Sequence, residues 1–361
     1  MRILFTTFFA VCLMFYSIST FALECDGCSY APQEIFTLKK YDNSLSLQKV
    51  RKLKKLPFLD KGYVPAGFFK TKDYDYYSYF HRPIFGEKPK TSMIVEYKKG
   101  DSVPWKIYEI YEKVGKNFNV THNGLVVTPK FFILTEGVHH VFFNRDITLK
   151  TKSDKAGTRY YQVYLDKKKK YYKKELEQEF EVFTSYSRDA NKKNILWLGQ
   201  YIKGPEENYP KLSEKGLEIK GFNTDRSLYL YGYELLEHGI SPKPLYTIAV
   251  PNDFQFVRNA YILQMGKKRF DIFLGQSFKE NSSLIWRLTF VTKDGSNYRI
   301  PGNSAPRLIF MGPSHLEMLD MNDKGELIGI SSSGGVFRHT ANLGGDYFPF
   351  EFIINSDQLN Q

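Results

Sequence analysis

Cysteine is scarce here, with three residues in a chain of 361. One of them, Cys12, lies in an apolar leader, which leaves Cys25 and Cys28 in "ECDGCSY". A structural zinc site needs four ligands, and no further cysteine is left to join this pair. Thioredoxin-type chemistry needs its CxxC at the start of a helix in a βαβ pattern. "SYAPQEIF" follows here and is no helix start. A local Cys25–Cys28 disulfide or terminal staple is therefore expected, in an oxidising compartment. Its small loop gives it little weight in the whole fold. Histidine is also sparse, at seven, and scattered. His139 and His140 are adjacent, so on a strand they point to opposite faces and suit no common metal. The phosphate-binding, dinucleotide, zincin and nucleophile-elbow motifs are all missing. No cofactor and no metal are expected.

Long hydrophobic runs are missing too, apart from the first residues. "MRILFTTFFAVCLMFYSISTFALEC" has a basic Arg2, an apolar stretch from Ile3 to Tyr16, and Thr20-Phe21-Ala22. This three-part pattern predicts a secretory signal over 1–22, cleaved after Ala22. The run is broken by Thr6, Thr7 and Ser17 and falls short of the roughly 20 residues of a membrane span. Neither Cys12 nor Cys25 follows the small residue of a lipidation site. The destination expected is periplasmic or secreted, with no transmembrane segment after cleavage.

Aromatics, by contrast, are abundant: 26 Tyr and 30 Phe, which together with Trp make 16% of the chain. Such side chains fit a pleated, half-buried surface. Short strand-like runs recur from "SMIVEYK" (92–98) to "FPFEFII" (348–354), separated by Gly, Pro, Asn and Asp. The fold class predicted is all-β and mainly antiparallel. A β-propeller-like arrangement leads, with a β-sandwich or two β domains as alternatives. Residues 23–90 are read as an N-terminal segment with a basic run and a short helix over 43–55. Asn43 or Ser44 would cap that helix, and Leu47, Val50 and Leu53 would share a face. Residues 91–361 form the β-rich domain. Lys293-Asp294-Gly295-Ser296 predicts a hairpin turn.

The net charge is +12. Much of it lies in "LKKYDNSLSLQKVRKLKK" (38–55) and "DKKKKYYKK" (166–174). Solvated surface is the simplest account of such blocks. Lys167, Lys168, Lys169, Lys170, Lys173 and Lys174 are the polyanion-binding candidates. Glu175, Glu177, Glu179 and Glu181 alternate with other residues, which puts four carboxylates on one strand face. A solvated sheet face explains them better than an acid–base pair.

"DMNDKGELIGIS" (320–331) has the outline of a calcium loop. Starting at Asp320, however, its fifth position is Lys324 and its twelfth Ser331, so the bidentate glutamate is missing. A hairpin turning at Asn322–Gly325 is expected instead, with Gly325 at positive φ. On Asn322, Gly325, Gly329 and Phe337, the stretch "LDMNDKGELIGISSSGGVF" resembles one HAF-type repeat of exported proteins. The resemblance implies a blade segment of a β-propeller. Taken together, the expected function is an exported, non-enzymatic binding or scaffold protein for a glycan, an envelope component or a protein partner. Two alternatives stay open. One is a glycan-active hydrolase with carboxylates roughly 5 to 9.5 Å apart in a cleft. The other is a polyanion binder acting through the lysine blocks.

Overall fold

The computed structural model describes residues 62–331 with several gaps, together with 35–38, 50–55 and 350–354. The longer internal gaps are 83–87, 173–180, 202–210, 221–227 and 278–282. Every regular element among the described residues is a strand. No described helix is long and apolar enough to cross a membrane.

Two strands precede the main body: β1 (Ile35–Leu38) and β2 (Val50–Lys55). Four-stranded antiparallel units then follow in chain order. Blade I is β3 (Tyr63–Lys70), β4 (Tyr74–His81), β5 (Met93–Lys98) and β6 (Lys106–Lys113), with β7 (Lys116–Asn117) beside β6. Blade II is β8 (Val126–Val127), β9 (Phe131–Glu136), β10 (His139–Ser153) and β11 (Arg159–Tyr172). Blade III holds β12 (Glu181–Arg188) and β13 (Asn194–Tyr201). An excursion, β14 (Lys211–Ser213) and β15 (Gly216–Lys220), pairs with β1. The blade resumes with β16 (Leu228–Leu236), β17 (Gly239–Ile240) and β18 (Tyr246–Val250). Blade IV is β19 (Val257–Gly266), β20 (Arg269–Gln276), β21 (Ser283–Val291) and β23 (Arg307–Gly312); β22 (Asn297–Tyr298) falls between the last two in sequence only and joins the sheet of blade III. Blade V is β24 (Leu316–Met321), β25 (Leu327–Ser331) and β26 (Phe350–Ile354). Its fourth strand is β2, paired antiparallel with β26.

The first strands of the blades touch in a closed ring: β3 with β8, β8 with β12, β12 with β19, β19 with β24, and β24 with β3. Four-stranded units set radially round an axis make a β-propeller, here with five blades. The apolar clusters lie between blades. Phe183, Trp197, Leu230, Ile262, Phe270 and Leu288 fill the space between III and IV. Leu316, Leu319 and Phe352 join Phe273 and Ile285 between IV and V. Met318, Ile328 and Ile353 join Phe68, Tyr77 and Tyr97 between V and I. Blades I and II are sealed further at their outer edge, where β6 and β11 pair in parallel. That pairing makes one nine-stranded sheet that wraps back on itself.

The axis is packed. The Gly124 N–H donates to Ala66 O at 2.9 Å, and the Thr184 N–H donates to Asn123 O at 3.0 Å. The Phe68 N–H meets Met318 Sδ at 3.2 Å. At the far end of the ring, Arg258 faces Glu317 at 3.8 Å.

Three expectations are corrected. Residues 50–55, placed in a short helix, form β2, because this stretch completes a sheet whose other strands come from the C-terminal end. The boundary at 90 is crossed by the sheet: β4 pairs with β5 over six residue pairs from Tyr74↔Lys98 to Tyr79↔Met93. Gly295 does turn the chain, at φ +84. However, β22 then pairs with β18 of blade III instead of folding back on β21, so no hairpin forms there.

Candidate functional site

Each first strand is followed by a turn at the same end of the axis. Blades I and II turn on threonine. The Thr71 N–H bonds Tyr74 O at 2.9 Å, and the Tyr74 N–H bonds Thr71 Oγ1 at 3.0 Å. Thr128 and Phe131 repeat the pair at 2.8 and 2.8 Å. Blades III and V turn on an Asx residue. Asp189 Oδ1 accepts from the N–H of Asn191 and of Lys193, and Lys192 takes φ +64. Asn322 Oδ1 accepts from the N–H of Lys324 and of Glu326, and Gly325 takes φ +76. The same turn closes β10 onto β11, with Asp154 as acceptor and Gly157 at φ +84. A short side chain that bonds two onward N–H groups makes such turns local and cheap to form.

Thr71, Thr128 and Asn322 of these turns, with Arg188 and Asn194 flanking the blade III turn, line a cup of about 1010 Å³. Part of its lining is aromatic. Phe69 of β3 and Tyr186 of β12 meet edge to face, centroids 5.3 Å apart. Tyr261 of β19 lines the same cup. Burial, with Asp320 and Tyr186 close by, pushes the Tyr261 hydroxyl well above its usual range. It therefore stays protonated and can donate. The Tyr186 hydroxyl donates to Asn194 Oδ1 at 2.6 Å. Ser187 is held by the Trp197 indole N–H at 2.9 Å.

Five cations line the cup: Lys70, Lys72, Lys99, Lys130 and Arg188. Three are held in ion pairs. Lys70 meets Glu351 at 2.8 Å, Lys99 meets Asp75 at 3.0 Å, and Lys130 meets Glu237 at 2.6 Å. Lys72 and Arg188 have no carboxylate partner among the described residues. The lining carboxylates are Asp320 and Glu237. Asp320 Oδ1 accepts from the Met321 N–H at 2.7 Å. The hydrogen bond and charge of Lys130, then His238, hold Glu237 below its ordinary range. A general acid needs the opposite shift.

The sequence candidates lie elsewhere. Lys167 to Lys170 fall on β11, the outer strand of blade II, away from the inner ring. Lys173, Lys174, Cys25 and Cys28 lie outside the described residues, as do the leader and Glu175 to Glu179. Sequence reasoning missed Phe69, Tyr186, Tyr261 and Arg188. A signal existed in "TKDY" (71–74) and "TPKF" (128–131), two threonine turns of one spacing that each follow a first strand. No group of three or more His, Cys, Asp or Glu able to hold a metal occurs among the described residues.

No family model matches the chain. No curated protein matches it. Solved structures do. A β-xylosidase, RS223, overlaps 85% of this chain and 94% of its own at 9% identity and a TM-score of 0.40. A putative oxidoreductase (glucose dehydrogenase) from Thermus thermophilus covers 84% and 98% at 11% identity and 0.38. The GH43_1 enzyme from Xanthomonas citri, complexed with xylose, covers 83% and 88% at 9% identity and 0.39. These overlaps are loose, and the five-bladed architecture rests on the chain's own strand order and ring of contacts.

Proposed function

We propose that this is an exported protein that binds an oligosaccharide in the axial cup. One observation carries the reading: three aromatic rings from three blades line one cup together with hydrogen-bonding side chains. The apolar face of a sugar ring packs on an aromatic plane, while its hydroxyls need donors and acceptors at the edge. Tyrosine supplies both in one side chain. Asn194, whose Oδ1 takes the Tyr186 hydroxyl, adds its side-chain amide beside them, while Thr71, Thr128 and Asn322 are committed to their turns. The volume is at the upper end of ligand pockets, which run to about 1,000 Å³, so more than one sugar ring fits. Export rests on the leader pattern of residues 1–22.

Calorimetric titration with a panel of oligosaccharides tests this. Binding is expected in the wild type, with a loss of roughly tenfold in Tyr186→Ala and in Tyr261→Ala. If no saccharide binds, or both variants bind unchanged, the reading falls. Hydrolysis is a second use of the same cup, favoured by Asp320 lining it beside a protonated tyrosine. Release of shorter sugars, lost in Asp320→Asn while binding persists, would assign it.

A further inference from the structure

The turns at this end of the axis share one residue type. "TKDY" carries Lys72, "TPKF" Lys130, "DANKK" Lys192 and Lys193, "GKKR" Lys267 and Lys268, and "NDKGE" Lys324. Thus every one of the five first-to-second-strand turns brings at least one lysine to the same end of the axis. Lys130 is paired with Glu237 and Lys193 with Glu234. Lys72, Lys192, Lys267, Lys268 and Lys324 are exposed and have no ion-pair partner among the described residues. Two acidic residues of the same turns are spent internally. Asp189 is buried and accepts from its own turn and from the Tyr246 hydroxyl at 2.9 Å. Glu326 takes the Asn322 side-chain amide at 2.7 Å. Asp73 of the blade I turn is exposed, and Asp323 of the blade V turn lies outside the described residues.

Lysines gain nothing from each other in such a ring. Like charges on a closed circle repel, and the fold could have placed them on its outer strands. A ring that surrounds an aromatic cup instead gives a concave field with an excess of positive charge, which concentrates anions at the mouth. We propose that the rim binds an acidic polysaccharide laid across the cup, its charged groups on the turn lysines and one sugar unit seated on the aromatic rings. This rests on the saccharide reading above. A flat anionic membrane would touch the rim and leave the cup empty. A nucleic acid would leave the hydrogen-bonding side chains of the wall without sugar hydroxyls to match.

The test compares two quadruple variants with the wild type. One is Lys192→Gln/Lys267→Gln/Lys268→Gln/Lys324→Gln, at positions outside the cup lining. The other is Lys167→Gln/Lys168→Gln/Lys169→Gln/Lys170→Gln, on β11. Probes are polygalacturonate, dextran sulfate, neutral dextran, duplex DNA and anionic vesicles. The wild type is expected to prefer the acidic polymers, with an affinity that falls as salt rises. The rim variant should lose about tenfold for them at low salt, keep its neutral-saccharide affinity and show a shallower salt dependence. The β11 variant should match the wild type. The ratio of polygalacturonate to dextran sulfate binding then tells carboxylate from sulfate. Equal binding of neutral and acidic polymers would overturn the rim proposal and leave the cup reading standing. So would an unchanged rim variant, or a loss confined to the β11 variant. Tighter binding of DNA or vesicles, lost in the rim variant, would replace the partner. Binding of no saccharide would remove both readings.

Discussion

Gly124 offers the sharpest test of the packed axis. Its φ is +98, and a Cβ built there would lie 2.3 Å from Thr184 O. Gly67 faces it, and a Cβ on Gly67 would lie 2.6 Å from the Gly124 carbonyl carbon. Backbone here meets backbone, and no flexible side chain can move aside. In Gly124→Ala the left-handed conformation costs about 1–2 kcal/mol. Forcing the strands apart adds roughly 1–3 kcal/mol of overpacking. Weakening the Gly124–Ala66 and Thr184–Asn123 hydrogen bonds adds about 1 kcal/mol each. The expected loss is then about 4–7 kcal/mol, a large part of a typical total of about 5–15. Gly157→Ala is the control. It has φ +84, but nothing lies within 4 Å of its added Cβ. Only the conformational cost of about 1–2 kcal/mol applies there. Urea unfolding followed by the fluorescence of the buried Trp197 and Trp286 would read both variants. Equal midpoint shifts would refute the close approach of the inner strands.

Three further outcomes follow from side chains already placed. Glu351 is buried, takes Lys70 at 2.8 Å and accepts from the Tyr77 hydroxyl at 2.5 Å, so Glu351→Ala should cost about 3–5 kcal/mol in the same assay. Gly325→Val should cost about 1–3 kcal/mol, because a β-branched residue is strained at its φ of +76; a neutral result would remove the turn assigned to Asn322. His315 is buried, and desolvation with Arg258 nearby lowers its pKa to about 4. The unfolded chain binds the proton first, so stability is full above pH of about 6.5 and falls by about 2–3 kcal/mol as pH drops to about 4. His315→Asn, which tolerates the φ of +58, should flatten that slope in melts taken at pH 7.5 and 4.5.

The fold class was legible because its signal is local. Period-two aromatic and β-branched runs, cut by Asx and glycine, specify strands and turns wherever they occur. The hairpin at Asn322–Gly325 illustrates this, with Gly325 at the positive φ its sequence predicted. The closing strand was not legible. "VRKLKK" (50–55) carries a helical spacing, and what makes it a strand is a partner some three hundred residues away. Likewise β22 follows a sound turn yet pairs with blade III, since a two-residue strand takes its neighbour from tertiary packing. The cup was hidden for the same reason. Phe69, Tyr186 and Tyr261 belong to three blades and look in sequence like ordinary strand aromatics. The lysine blocks drew the eye to β11, while the rim lysines come singly or in pairs, one turn at a time.

Closure by β2 has a kinetic consequence. Val50 must find Ile354, and bringing the ends of so long a flexible segment together costs about 5 kcal/mol of chain entropy. Four blades can assemble from neighbouring hairpins before that meeting, because their contacts are local in sequence. Until it happens the arc is open. The apolar sides of blades I and V, with Tyr77, Tyr97, Ile328 and Ile353, then face solvent across the gap. Refolding should therefore end in a slow phase assigned to ring closure, and aggregation should compete during that phase alone. A circular permutant that places β2 directly after β26 would turn this longest-range pairing into a hairpin and shorten the vulnerable interval.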